Sequence, residues 1–319
     1  MASRKSALDV IFGSMTIGAE GREGIRVSSP VEVNTLLDTF RSHGHFGIDT
    51  ARVYGGGTTE EYLGATDYEK RGFQMDTKLY PTKGKGMDWL TTEQWTHAPE
   101  DIRAGLKKSL EALRESLREV NKLHQEGYFD RFGLSNYPSW EVTQICEICR
   151  KNGWIMPTVY QGLYNAYLRL VESELVPCLR HYGLALQVFN PLAGGFLTGR
   201  YRREATDIEE GSRFDPKRKQ GVLHRGRYWT DANFASIEAL REVAQKHDLT
   251  PSECALRWLM HHSVLKDEFG DAVIVGVSSN KHLKENLAAL DKGPLPEDVV
   301  QTLDEGWEHA RAGSLKYWH

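Results

Sequence analysis

Apolar runs of strand length alternate along this chain with stretches whose apolar positions recur every three or four residues. Val10-Ile11-Phe12-Gly13-Ser14-Met15-Thr16 predicts a first strand that ends in small and polar residues. Val31 to Arg41 predicts a helix, with Ser28-Ser29-Pro30 supplying the cap and a first-turn proline. Phe46-Gly47-Ile48-Asp49 and Phe73-Gln74-Met75-Asp76-Thr77-Lys78 predict a second and a third strand, with a short helix around Glu60 to Leu63 between them. After a loop containing Pro81, Gly84 and Gly86, the positions Ile102, Leu106, Leu110, Leu113, Leu117, Val120 and Leu123 form one stripe of a helix from Pro99 to Glu126. Gly127 ends it. At about 28 residues and roughly 42 Å this helix exceeds the usual length in globular proteins.

Regular alternation then resumes. Strand Arg131 to Asn136 is followed by helix Trp140 to Lys151, strand Thr158 to Gln161, helix Glu172 to His181 and strand Ala185 to Asn190. A long loop, Thr198 to Trp229, leads to helices Asp231 to His247 and Pro251 to His262, strand Ala272 to Ser278, and helices near Lys281 and Glu297. This pattern predicts the α/β class and a (β/α)8 TIM-type barrel spanning residues 1–319 as one domain. Such a barrel closes with eight strands, and seven are recognisable. The interval between Lys78 and Arg131 is where the eighth is missing.

Composition narrows the function classes. A net charge of −4 gives no global attraction for nucleic acid, and no apolar run reaches bilayer length. Met1-Ala2-Ser3-Arg4-Lys5 is not followed by an apolar stretch, so the expected compartment is the cytoplasm. Cys146 and Cys149 form a C-x-x-C inside a helix without a second pair or nearby histidines, so no metal is expected there. Cys178 and Cys254 read as ordinary helix residues, and His261 and His262 as polar residues suited to a helix end.

The chemistry concentrates where strands two and three end, because parallel barrels collect reactive groups at the C-terminal ends of their strands. Asp49, Tyr54 and Lys78 fall there. A tyrosine beside a lysine can donate a proton, since the ammonium favours the phenolate, while a carboxylate holds the lysine in place. Taken singly, the same residues serve equally as a cap, a loop residue and a solvated strand end. Gly55-Gly56-Gly57 lacks the spacing and lysine of a phosphate loop and reads as a flexible turn beside Tyr54.

Asp49-Thr50-Ala51-Arg52-Val53-Tyr54-Gly55-Gly56-Gly57-Thr58-Thr59-Glu60-Glu61, then Leu63-Gly64 and Thr77-Lys78, resembles the signature of the aldo-keto reductases. Phe132-Gly133-Leu134-Ser135-Asn136-Tyr137, Pro157 to Gly162, Asn190-Pro191-Leu192-Ala193-Gly194-Gly195 and Gly276-Val277-Ser278-Ser279 resemble the aflatoxin-aldehyde and succinic-semialdehyde reductase branch, over nearly the whole chain. The resemblance implies NADPH-dependent reduction of an aldehyde or ketone, with Tyr54 as general acid, Lys78 lowering its pKa and Asp49 pairing with Lys78. It also implies cofactor contacts. Ser135, Asn136 and Gln161 would meet a carboxamide, Asn190, Pro191, Leu192, Gly194 and Gly195 a pyrophosphate, and Gly276, Ser278 and Ser279 an anion at the next helix N-terminus, with Asn286 in the same pattern. Lys281, His282, Arg200, Arg225 and Arg227 favour a 2′-phosphate and hence NADPH.

One family feature is missing. The resembled family places a fourth strand ending in a catalytic histidine between Lys78 and Arg131. Here Ser109 to Arg114 runs straight into Glu115 to Gly127, and His124 matches a helix position. Loss of the strand predicts an open seam, crossed by the long helix, with impaired turnover and stability. A non-catalytic nucleotide-binding barrel and an incomplete product of a reductase gene stay open. The resemblance further implies a small carbonyl substrate and a homodimer, and leaves secondary metabolism open. Tyr228, Trp229, Tyr317 and Trp318 either line an apolar substrate mouth or serve as packing.

Overall fold

A computed structural model describes residues 4–51, 54–78, 117–205 and 208–318. The loop after Lys78, most of the helix expected from Pro99 and the Arg114–Glu115 junction lie outside the described residues. Seven parallel strands appear: β1 (Asp9–Gly13), β2 (Gly47–Asp49), β3 (Gln74–Asp76), β4 (Phe132–Ser135), β5 (Pro157–Leu163), β6 (Ala185–Phe189) and β7 (Ala272–Gly276). The helices in chain order are α1 (Pro30–Ser42), α2 (Thr58–Gly64), α3 (117–125), α4 (Ser139–Asn152), α5 (Leu175–Tyr182), α6 (Lys219–Tyr228), α7 (Asp231–Gln245), α8 (Pro251–His261), α9 (Asn280–Leu290) and α10 (Glu297–Arg311).

Alternation along each strand sets the layers. Val10 and Phe12 of β1, and Val273 and Val275 of β7, face outward into the core shared with the helices. Ile11 and Ile274 face inward with Ala272 and Phe189. The helices answer with buried stripes such as Val33, Leu36, Leu37 and Phe40 of α1, or Val142, Ile145, Cys146 and Cys149 of α4. Both cysteines of the C-x-x-C are therefore buried packing residues, and the described residues contain no cluster suited to a metal ion. His261 donates or accepts at the Lys292 carbonyl (2.7 Å) and His262 accepts from Leu295 N–H (2.9 Å), so both tie α8 to the following loop.

The strand order is β3-β2-β1-β7-β6-β5-β4. The sheet is curled. β2 and β5 stand four places apart, ~19 Å in a flat sheet, yet Gln161 Nε2 on β5 donates to Asp49 Oδ1 on β2 at 2.8 Å. Among the described residues β3 and β4 are the two edges and do not pair with each other. A polar bridge stands between them: Arg131, just ahead of β4, lies 3.6 Å from the Asp76 carboxylate of β3, which also faces Gln187 of β6 at 3.5 Å. The expected seam is thus present in the described sheet, spanned at this point by an ion pair.

Three expectations of the local reading change. The Ser29 side chain makes no cap hydrogen bond, and Pro30 alone supplies the N-terminal signal of α1. Gly127, at φ +81°, does close α3, its N–H reaching the His124 carbonyl at 3.0 Å. The long loop Thr198 to Trp229 is not loop throughout, since its last third forms α6.

Candidate active site

Asp49 is placed by the end of β2 and is almost wholly buried. Its carboxylate takes hydrogen bonds from Lys78 Nζ and from Gln161 Nε2, and its backbone carbonyl accepts from Ser14 Oγ at 2.7 Å. Lys78 Nζ donates a second bond to the Thr50 carbonyl at 2.7 Å. The ammonium is therefore pinned from two sides, 5.1 Å from the centre of the Tyr54 ring. Tyr54 opens a tight turn whose next three residues, Gly55, Gly56 and Gly57, have φ of +56°, +67° and +95°. That run of left-handed backbone suits glycine alone, and it turns the chain sharply enough to leave Tyr54 facing Lys78.

The electrostatics differ from the sequence expectation in one respect. Burial first, and then the Asp49 charge, push the Tyr54 phenol well above its ordinary pKa, while the cation of Arg213 opposes them. Lys78 is not the group that lowers it. Its charge is largely consumed by Asp49, a carboxylate itself raised by burial and held down by Lys78 and Gln161. The result is a phenol that keeps its proton, which is the state a proton donor needs.

From Tyr54 a cleft of about 2890 Å³ runs along the C-terminal ends of the strands. A single ligand site is typically ~300–1,000 Å³, so the cleft has room for an extended ligand as well as the seam between β3 and β4. Its walls include Asp49, Tyr54, Lys78, Ser135, Asn136, Gln161, Asn190, Pro191, Leu192, Gly194, Gly195, Arg200, Arg227, Gly276, Ser278, Ser279, His282 and Asn286. Asn136 and Asn190, at φ +63° and +64°, turn the backbone away just after β4 and β6. Gly194 has φ +68°, and a Cβ there would stand 2.4 Å from the His224 ring, so only glycine leaves this wall open. Ser279 caps α9 by accepting from His282 N–H at 3.2 Å, and Ser278 Oγ meets His282 Nδ1 at 2.9 Å.

Two predicted contacts are placed elsewhere. Arg225 donates to the Phe214 carbonyl (2.8 Å) and lies 4.1 Å from the Trp229 ring, where it ties the flap together. Lys281 points to solvent near Glu285. Of the aromatic residues, Tyr228 is buried and bonded to Asn165 and Asn190, and Trp229 packs on Tyr201, Phe214 and Phe234. Tyr317 donates to Glu174 at 2.6 Å, so of the four only Trp318 walls the cleft.

The flap, residues 199–229, lies over this cleft. Its Glu209 pairs with Arg26 at 3.2 Å across the opening, and Gln220 N–H reaches Glu23 Oε1 at 3.3 Å. Met15, Thr16, Gln187, Arg213 and His224 also wall the cleft and were not marked by sequence. Only Gln187 carried a readable signal, a polar residue inside an otherwise apolar strand. Arg227 Nε is buried with no partner. A buried donor aimed into a basic, glycine-lined groove beside a helix N-terminus fits a phosphate-bearing dinucleotide.

The model of the Aldo/keto reductase family matches residues 9–116 and 113–308. The chain is 47% identical over 339 residues to Aldo-keto reductase pigE of Monascus ruber, covering 99% of each chain. It is 39% identical over 324 residues to Aflatoxin B1 aldehyde reductase member 2 of Mus musculus, covering 93% of this chain and 84% of that one. Among solved structures, the glycerol dehydrogenase AKR11B4 from Gluconobacter oxydans superposes with a TM-score of 0.61 at 21% identity, over 93% of this chain and 90% of that one, which supports the TIM-like fold. With the fold, the strand-end site and these relatives in agreement, this chain belongs to the aldo/keto reductase family, oxidoreductases that act on aldehyde and ketone carbonyls.

Proposed function

We propose that this protein reduces a small aldehyde or ketone with NADPH, using Tyr54 as the proton donor. The observation that carries the reading is the clamp of Lys78 by Asp49 and the Thr50 carbonyl beside the Tyr54 ring, at the open end of the cleft. Tyr54 O–H donates to the carbonyl oxygen and gives up its proton as that oxygen becomes an alkoxide. Lys78 keeps a positive charge close to the phenolate left behind, and Asp49 fixes Lys78. A reduced nicotinamide, when bound, supplies the hydride to the carbonyl carbon. Ser135, Asn136 and Gln161 orient its carboxamide, Asn190 to Gly195 approach its pyrophosphate, and Arg200, Arg227, His282 and Asn286 hold the adenosine end, where a 2′-phosphate finds cations. Replacing Tyr54 by Phe tests the assignment: aldehyde reduction should fall by about 10²-fold or more with cofactor affinity kept. Unchanged turnover would remove Tyr54 from the mechanism. Fluorescence titration tests the cofactor, and NADH binding as tight as NADPH would sink the phosphate assignment.

We further infer that the family's fourth strand and its histidine are absent. The 339-residue alignment with the Monascus ruber protein exceeds the 319 residues of this chain, and the two family-matched segments meet at residues 113–116, where the sequence reading puts the junction. On this reading turnover is weak, because a group that orients the carbonyl is gone. The same reading makes the protein a single-domain, cytoplasmic barrel that pairs as a homodimer, does not bind nucleic acid, and takes a carbonyl of primary or secondary metabolism.

A further inference from the structure

The flap carries many arginines, and most are accounted for. Arg200 pairs with Glu209, Arg202 with Glu238, Arg203 with Asp231 and Arg218 with Asp215. Arg225 stacks on Trp229. Arg213 is different. It sits between the buried residues Ser212 and Phe214, walls the same cleft as Tyr54, Asp49 and Lys78, and pairs with no carboxylate among the described residues. Its described hydrogen bond, Nη2 to Met15 Sδ at 3.4 Å, is to a weak acceptor just past the end of β1. β1 pairs with β2, so this contact brings the guanidinium to the strand ends where Asp49 and Tyr54 begin.

A guanidinium held in a partly dry cleft without a counter-charge is costly, and the structure keeps one there. We propose that Arg213 is a positioning residue for the proton donor: docking of the flap sets a second cation against the Tyr54 phenol, and this cation favours release of the Tyr54 proton to the substrate. The inference rests on the assignment of Tyr54 as donor. Enclosure depresses the Arg213 pKa and the Tyr54 charge raises it, and reciprocally Arg213 opposes the upward push on Tyr54. The groups acting on this phenol are Asp49 on β2, Lys78 beyond β3, Asp76 through Asp49, and Arg213, itself facing Arg26. Of the two cations beside the ring, Lys78 is neutralised by Asp49, which leaves Arg213 as the one with an unspent charge. Because it rides on the flap and not on the barrel, the donor is fully tuned only with the flap down. Proton transfer would then be coupled to the Glu209–Arg26 and Gln220–Glu23 contacts that hold the flap over the cleft.

The test uses the full chain with 3-fluorotyrosine at position 54, with Arg213→Met and Arg213→Lys as variants. Fluorine NMR follows the phenol's titration, and turnover is measured with 4-nitrobenzaldehyde and 4-carboxybenzaldehyde. Arg213→Met should move the fluorotyrosine titration upward by about one pH unit and lower kcat about tenfold or more for both aldehydes, with NADPH affinity within threefold of the parent. Arg213→Lys should recover most of both. An unmoved titration overturns the proposal, as does a loss confined to KM for the carboxylated aldehyde, which would make Arg213 an anchor for substrate anions. Weakened NADPH binding at unchanged kcat overturns it in favour of a phosphate contact. If Tyr54→Phe leaves turnover intact while the titration still moves with Arg213, the donor assignment has failed and the electrostatic coupling has not.

Discussion

Tyr54 is useful because it is hard to deprotonate. A phenol held above its ordinary pKa by burial and by Asp49 stays protonated across the neutral range, so reduction should be nearly flat with pH there and fall only in strong alkali. The reverse reaction, alcohol oxidation, needs the phenolate and should climb with pH over the whole accessible range. Initial rates in both directions between pH 6 and about 10 check the sign, and a reduction rate that falls steadily from pH 6 would contradict it. Asp49 and Lys78 were legible in the sequence because a polar residue closing an apolar strand has few structural reasons to be there. Gln161 was legible as a site residue but its present partner was not: it bonds to Asp49 four strand places away, and that distance collapses only when the sheet curls. Arg213 was invisible for a related reason, since the flap's many arginines look alike until folding pairs most of them with carboxylates. Arg225 was misplaced on the same ground, its charge being used to stack on Trp229.

At the scale of elements, periodicity located all seven described strands and most helices to within a few residues, because buried faces demand apolar side chains at fixed spacing. It failed on α6, Lys219–Tyr228. The buried positions of that helix are Gly221, His224 and Tyr228, which step by three and four as a helix requires but are not the apolar residues a pattern search counts. A different device holds β6 and β7 in place. Asp271, fully buried ahead of β7, takes Arg180 of α5 at 2.5 Å and the N–H groups of Leu186 and Lys266, each at 2.8 Å. Asp271→Ala leaves a largely buried guanidinium and two N–H groups without partners, and should cost about 3–5 kcal/mol in a urea melt. A loss under 1 kcal/mol would show that water replaces the carboxylate. Gly194→Ala acts locally on the cofactor wall. With φ at +68° and His224 in the way, it should weaken NADPH binding more than it changes global stability.

The whole molecule is a seven-stranded sheet curled far enough to bring its interior polar residues together, with its edge strands β3 and β4 unpaired with each other among the described residues. Unpaired sheet edges invite association, and the Asp76–Arg131 pair is a half-exposed bridge of small worth. Inserting the family's histidine-ended strand between Arg114 and Glu115 should therefore raise both Tm and turnover. Equal values for the two forms would mean that the chain is whole as it stands. Acid should expose a second weakness. Burial lowers the pKa of His45 and His224 from 6.5 to about 4, so the unfolded chain takes up protons first and stability should decline as pH falls through that window. The apolar helix length needed to cross a membrane is not reached by any described helix.

The central claim is that this cleft delivers a hydride and a proton to a carbonyl. NADPH carrying deuterium at C4, incubated with an aldehyde and the full-length protein, tests it most directly by mass spectrometry of the alcohol. The account predicts one deuterium on the former carbonyl carbon with the wild-type chain, and at least about a hundredfold less labelled alcohol with Tyr54→Phe. Labelled alcohol formed equally by both proteins, or by neither under conditions where NADPH binds, would contradict it.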